Sequence, residues 1–170
     1  MGVESKGSGY GGTVPETFGY DLVHFFHVAS LAVIVGGGLA LGSAAAPTLF
    51  RTLDRSQAGT VFGAVLERWD GVAILASLVL VATTAILTIA FETGEPILPR
   101  WAAVGVVLLG TLYASAWANP IARGLRRSRP DFDDLPSSAD ERREFARYHS
   151  RSTRAMSVAI LAGLVALWFS

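Results

Sequence analysis

The chain has no cysteine, only two methionines and only three histidines. Disulfides, thiolate metal sites and thiol catalysis are excluded together, which leaves histidine and carboxylate as the strong ligands. Charge is scarce as well: 16% of residues are charged, against 51% hydrophobic, and mean hydropathy is positive. That balance is too apolar for an ordinary soluble domain of 170 residues. No phosphate-binding loop, nucleophile triad or carboxylate dyad is recognisable, so an enzymatic role finds little support.

What the sequence does have is long uncharged runs. His24 to Phe50 carries no formal charge over 27 residues, led by two histidines and closed by Ala46-Pro47-Thr48-Leu49-Phe50-Arg51. As a helix it rises roughly 40 Å, more than the roughly 30 Å of a bilayer's hydrocarbon core. Gly71 to Phe91, Trp101 to Ala122 and Ala155 to Ser170 are further apolar runs. The expectation is an all-α, four-helix transmembrane bundle, with spans at about 22–50, 71–91, 101–122 and 150–170, preceded by a flexible tail over 1–20.

Net charge is zero, but its distribution is lopsided. Twelve of the fourteen basic residues fall in the 51–70 and 123–154 loops, and only Lys6 and Arg100 lie elsewhere. The positive-inside rule places those loops in the cytoplasm of a bacterial or archaeal cell and both termini outside. The basic cluster Arg123 to Arg129 is then expected to meet anionic lipids of the bilayer; nothing accompanies it that signals nucleic-acid binding.

Local patterns refine this plan. Ala32, Gly36, Ala40 and Ala44 recur every four residues, and Gly38 with Gly42 forms a second small pair, which predicts a packing seam within the bundle, with another membrane protein or with a second copy. Pro47 is expected to bend or end helix 1 near the cytoplasmic boundary. Val61, Phe62, Val65, Leu66 and Trp69 form an apolar stripe, so an amphipathic cytoplasmic helix between helices 1 and 2 is predicted, capped by Asp54 or Ser56 and either lying on the inner surface or running directly into helix 2. Asn119-Pro120 ends helix 3 much as Ala46-Pro47 ends helix 1. Ser138 with Glu141 reads as a capping box opening helix 4.

Three groups of residues carry a resemblance: Ala46-Pro47-x-x-Phe50-Arg51-x-Leu53, Ala58-Gly59, and Phe145-Ala146-Arg147-Tyr148-His149-x-x-Ser152. Together with His27 and Asn119-Pro120, they resemble the transmembrane protein 205 family and its bacterial relatives, over nearly the whole chain beyond residue 20. The wider relatives implied are the copper resistance protein D superfamily and the HemJ-type oxidases, in which membrane histidines serve metal or haem. With methionine only at positions 1 and 156, this sequence departs from the copper type.

The resemblance makes the histidines the candidate cofactor residues, haem or a divalent metal being the candidate groups. A haem shared by His27 and His149 conflicts with the topology, because the helix rises roughly 34 Å from His27 to the cytoplasmic boundary where His149 is expected. His24 and His27 with Asp21, Glu16, Glu92 or Glu95 form the alternative, an outer nitrogen and oxygen metal site. In the plain structural reading, His27 is a buried hydrogen-bond donor and His149 bonds Asn119 or a loop carbonyl. The sequence therefore supports a small membrane protein that binds or passes a ligand or metal near helices 1 and 4, or a structural subunit of a membrane complex, or a tetrapyrrole binder.

Overall fold

A computed structural model describes residues 17–92 and 97–170. Among these residues the chain is all helical, with four long helices: α1, Phe18–Thr52; α2, Arg55–Phe91; α3, Leu98–Arg127; and α4, Asp140–Trp168. The first three are long and apolar enough to cross a membrane. Helix α4 is divided: its first half carries the charges from Asp140 to Arg154, and its second half is apolar. Most of the tail expected over 1–20 lies outside the described residues, but α1 already begins at Phe18, with Asp21 in the first turn where the helix dipole favours an acid.

Neither proline ends its helix. Of the four π-helical stretches among the described residues, Leu41–Ala45 precedes Pro47 and Leu112–Ala118 precedes Pro120, whereas Val33–Gly37 and Leu87–Phe91 stand away from any proline. Proline lacks an amide hydrogen and its ring crowds the carbonyl one turn back, and a widened turn relieves both problems while the helix continues. Helix α1 stops at Thr52, where Leu53 becomes extended. Asp54 occupies the N-cap position of α2 without a side-chain cap bond.

Of the two arrangements expected for the amphipathic helix between helices 1 and 2, it takes the second and runs directly into helix 2 rather than forming an element of its own. Residues 55–70 are the opening turns of α2, because nothing in that stretch breaks the backbone ladder. The capping box at Ser138 is also not realised: Ala139 holds the N-cap position of α4, and the Glu141 carboxylate accepts from Arg129 Nη1 at 2.9 Å.

Helix α1 packs chiefly on α2 and α4 chiefly on α3, with α2 against α3 joining the two pairs. The core consists of Leu31, Ile34, Leu80, Val104 and Val107, all essentially inaccessible. Close approach depends on small residues: a Cβ at Gly110 would stand 3.0 Å from the Ala155 carbonyl oxygen and 3.1 Å from the Ala159 Cβ. Large apolar side chains such as Leu75, Leu109 and Leu161 point outward, as a lipid-facing surface requires.

The small residues of α1 divide between these environments. Gly38 packs under Ile160 of α4, and its unremarked neighbour Gly37 under Trp69 of α2. Gly36 and Gly42 face open space, and Ala32, Ala40 and Ala44 are exposed. The stripe predicted as a packing seam thus lies on the outward face of α1, one helical step from the true contact line.

Candidate functional site

At the arginine-rich end of the bundle, the end of α1, the start of α2, the end of α3 and the start of α4 converge. The anchor is Asp70, only 4% exposed, which accepts from Asn119 Nδ2 at 2.8 Å and from Arg123 Nη1 at 2.5 Å. Two donors, one of them charged, satisfy a carboxylate that would otherwise be costly to bury. This places Asn119 against Asp70 rather than against His149, and Pro120 follows it on α3 as the helix resumes after its π-turn.

A second set of bonds ties the loop after α3 to α2. Arg126 Nη2 donates to Asp133 Oδ2 at 2.7 Å and to the Ser56 carbonyl at 3.0 Å, and Ser56 Oγ donates to Asp133 at 2.8 Å. The guanidinium lies where a side chain at position 59 would begin: a Cβ there would fall 2.0 Å from Arg126 Nη1. Arg142 stands 3.7 Å from the other Asp133 oxygen and 5.3 Å over the Phe132 ring. Partial burial pushes the Asp133 carboxyl up, but the Ser56 hydrogen bond and the Arg126 charge outweigh it and hold the group below the usual carboxylate range.

Aromatic contacts complete the frame. Phe132 meets Phe145 edge-on at 5.3 Å, and Phe145 stacks on His149 at 5.7 Å with the rings 5° apart. Phe50 meets Phe62 edge-on at 6.2 Å. These groups border an open cavity of about 500 Å³ whose lining includes Phe50, Gly59, Phe62, Phe145 and His149 together with arginines. A second space of about 480 Å³ adjoins it between α1 and α4, beside Gly42, Trp69 and Met156, and the two share Phe62, Leu66, Asn119 and His149 as lining residues. Stretches that sequence reading treated separately, around Phe50, Gly59 and His149, thus come together on one cavity.

The opposite end is built differently. His27 is fully buried, with Nδ1 at 3.3 Å from Thr83 Oγ1 and 3.4 Å from Thr84 Oγ1, and Nε2 at 3.0 Å from Ser170 Oγ. Both threonine hydroxyls also bond carbonyls of their own helix, as expected for hydroxyls in lipid. His24 is half-exposed and stacks on Tyr20 at 5.5 Å, and Asp21 is exposed. Among the described residues no three potential ligands converge on a metal; Glu16 and Glu95 lie outside them. Glu92 instead pairs with Arg100 at 2.6 Å, and Arg100 and Trp101 both donate to Thr88.

The donor set does not fit a haem. Both ring nitrogens of His27 are engaged by hydroxyls, and its partner Ser170, just past the end of α4, follows His149 by about twenty residues, a separation of roughly 30 Å.

Two features were missed at the level of sequence. Asp70 reads there only as the residue before an uncharged run, although a lone carboxylate at the edge of an apolar helix is itself a signal that a partner must exist. Arg126 beneath Gly59 depends on a contact across 67 positions and has no local mark.

Three long apolar helices around a buried core define a small helical membrane protein. The chain belongs to a family described as a domain of unknown function (DUF4149), matched over residues 29–131, which reach from α1 to just beyond α3. No curated protein and no solved structure matches the chain.

Proposed function

We propose that this protein is a four-span integral membrane protein, related to the transmembrane protein 205 type, that binds a small ligand in the cavity at its arginine-rich end. The reading places the apolar half of α4 in the bilayer as the fourth span, the arginine-rich end in the cytoplasm and both termini outside, on the strength of the basic-residue asymmetry. One observation carries the ligand: a cavity of about 500 Å³, within the roughly 300–1,000 Å³ typical of small-molecule sites, walled by aromatic rings and guanidinium groups. The cavity favours an anion, because arginines outnumber the single lining carboxylate, Asp133, which is already bound.

The test fills the cavity. An added side chain at Gly63 meets no neighbour at its first atom, yet the position lines the cavity. Native mass spectrometry of protein released from its own membrane is expected to find a stoichiometric small molecule on the wild type and none on Gly63→Trp. Absence of any bound molecule from the wild type would remove this reading.

A second reading, a subunit docked in a larger membrane complex, is favoured by the outward stripe of Ala32, Gly36, Ala40 and Ala44. Gly36→Leu would then release a stoichiometric partner on purification, and a wild type that purifies without a partner counts against it.

A further inference from the structure

We propose that the ligand is an anionic phospholipid, with its phosphate among the arginines and one acyl chain lying between α1 and α4. The proposal rests on the ligand-binding reading above and adds the chemical class. Its first support is adjacency: the basic cavity and the apolar space beyond it share Phe62, Leu66, Asn119 and His149 as lining residues, which sets a site for a polar head beside a site for an apolar tail. Neither half alone would call for an amphiphile.

The second support is charge. Arg55, Arg123, Arg126, Arg142 and Arg143 line the head cavity, whereas Asp133 is its one lining carboxylate. Asp70 neutralises Arg123, Asp140 neutralises Arg143, and Asp133 is divided between Arg126 and Arg142. Arg55 has no carboxylate partner among the described residues, so the cluster keeps a positive surplus that a phosphate diester would match.

The third support is the chemistry of the tail space. Its walls run from Gly38 to Ala46 on α1 and from Ser152 to Ile160 on α4, roughly 12 Å along each helix. The hydroxyls there are already spent: Ser43 donates to the Leu39 carbonyl, Ser152 and Thr153 to that of His149, and Ser157 to that of Thr153. An occupant therefore meets a mainly apolar wall, with His149 and Asn119 among the residues it shares with the head cavity. Exposed Leu39 and Thr153 mark where the groove opens sideways, which lets a chain enter from the bilayer.

The full-length chain in phosphatidylcholine nanodiscs, titrated with phosphatidylglycerol and read by native mass spectrometry, tests this. The wild type is expected to retain one phosphatidylglycerol in preference to phosphatidylcholine. Arg55→Gln with Arg143→Gln, both at exposed positions, should weaken retention by roughly 25-fold, about fivefold for each charge. Gly42→Phe should block the tail space, and Gly36→Phe is its matched control, since both positions open onto free space but only Gly42 lines the groove.

Equal retention of the two lipids, or a Gly42→Phe protein that holds phosphatidylglycerol as the wild type does, overturns the proposal. Inorganic phosphate that binds with the same arginine dependence, indifferent to Gly42→Phe and as tightly as the lipid, would assign the cavity to a free anion. That result sinks the lipid while leaving the ligand-binding reading intact.

Discussion

The two ends of this bundle solve the same problem, polar groups beside a bilayer, in opposite ways. Around His27 the polar side chains find most of their partners within the protein: imidazole with three hydroxyls, and Arg100 with Glu92 and Thr88, although the buried Arg100 Nε has none among the described residues. Around His149 the partners leave a surplus of guanidinium groups and a cavity. A histidine in a membrane helix is therefore no guide to function by itself; what differs is whether its surroundings are closed. The histidine that first suggests a cofactor is the closed one.

The sharpest way to break this contrast is to remove Asp70. Asp70→Ala leaves Arg123 and Asn119 without their shared acceptor in a nearly sealed position, and losing one partner of a buried pair costs about 3 kcal/mol. Unfolding in mixed micelles is expected to shift accordingly, and Asp70→Ala with Arg123→Met should recover part of the loss. A single mutant within 1 kcal/mol of wild type would mean that water reaches this pair, and that the arginine-rich end is open to its root.

At the closed end the effect should be smaller. His27→Leu removes hydrogen bonds of a kind worth about 1 kcal/mol between membrane helices, and the three hydroxyls keep carbonyl partners of their own. The substitution is expected to cost about that much in the same unfolding assay and to leave any molecule at the other end bound as before. A loss of ligand on His27→Leu would show that the two ends are coupled and that the contrast between them is false.

These differences bear on how much the sequence can show. Helix positions follow from uncharged runs, because the bilayer's thickness sets their length, and the opposed Pro47 and Pro120 were visible as a pair. The continuity of α2 is one of two arrangements the sequence allows: residues 55–70 have an amphipathic pattern of their own, and a helix continuing out of the membrane gives the same pattern as one lying on its surface. The face of α1 used in packing is legible only in part: Gly38 of the second small pair packs under Ile160 while Gly36 and Gly42 do not, since Gly36, Gly37 and Gly38 are adjacent and only Trp69 and Ile160 decide which of them is covered. For the site, Phe50, Asn119 and His149 were legible as separate marks, whereas Asp70 and Arg126 gained meaning only when α2 and α3 were brought together.

The smallest effect expected is an acid one, read at the open end against the closed end, where the Arg100 hydrogen bond also holds the Glu92 carboxyl below the usual carboxylate range. Because its neighbours hold Asp133 below the usual carboxylate range, the folded state prefers the ionised form more than the unfolded chain does. That preference stabilises fully above the unfolded value, about 3.9, and is lost as pH falls through the lower folded value. Asp133 and Arg126 are each partly exposed, so the stake is below about 1 kcal/mol. Hydrogen exchange of the 128–139 loop is expected to quicken as pH is lowered from 5 towards 3, beyond the intrinsic pH dependence of the amides, and Asp133→Asn should show the faster exchange at both pH values. The Arg100 and Glu92 pair provides the internal comparison, with Arg100 nearly inaccessible and bonded to Thr88 as well. If that end loosened first on acidification, the closed cluster would be the weaker one, and the assignment of the two ends would have to be exchanged.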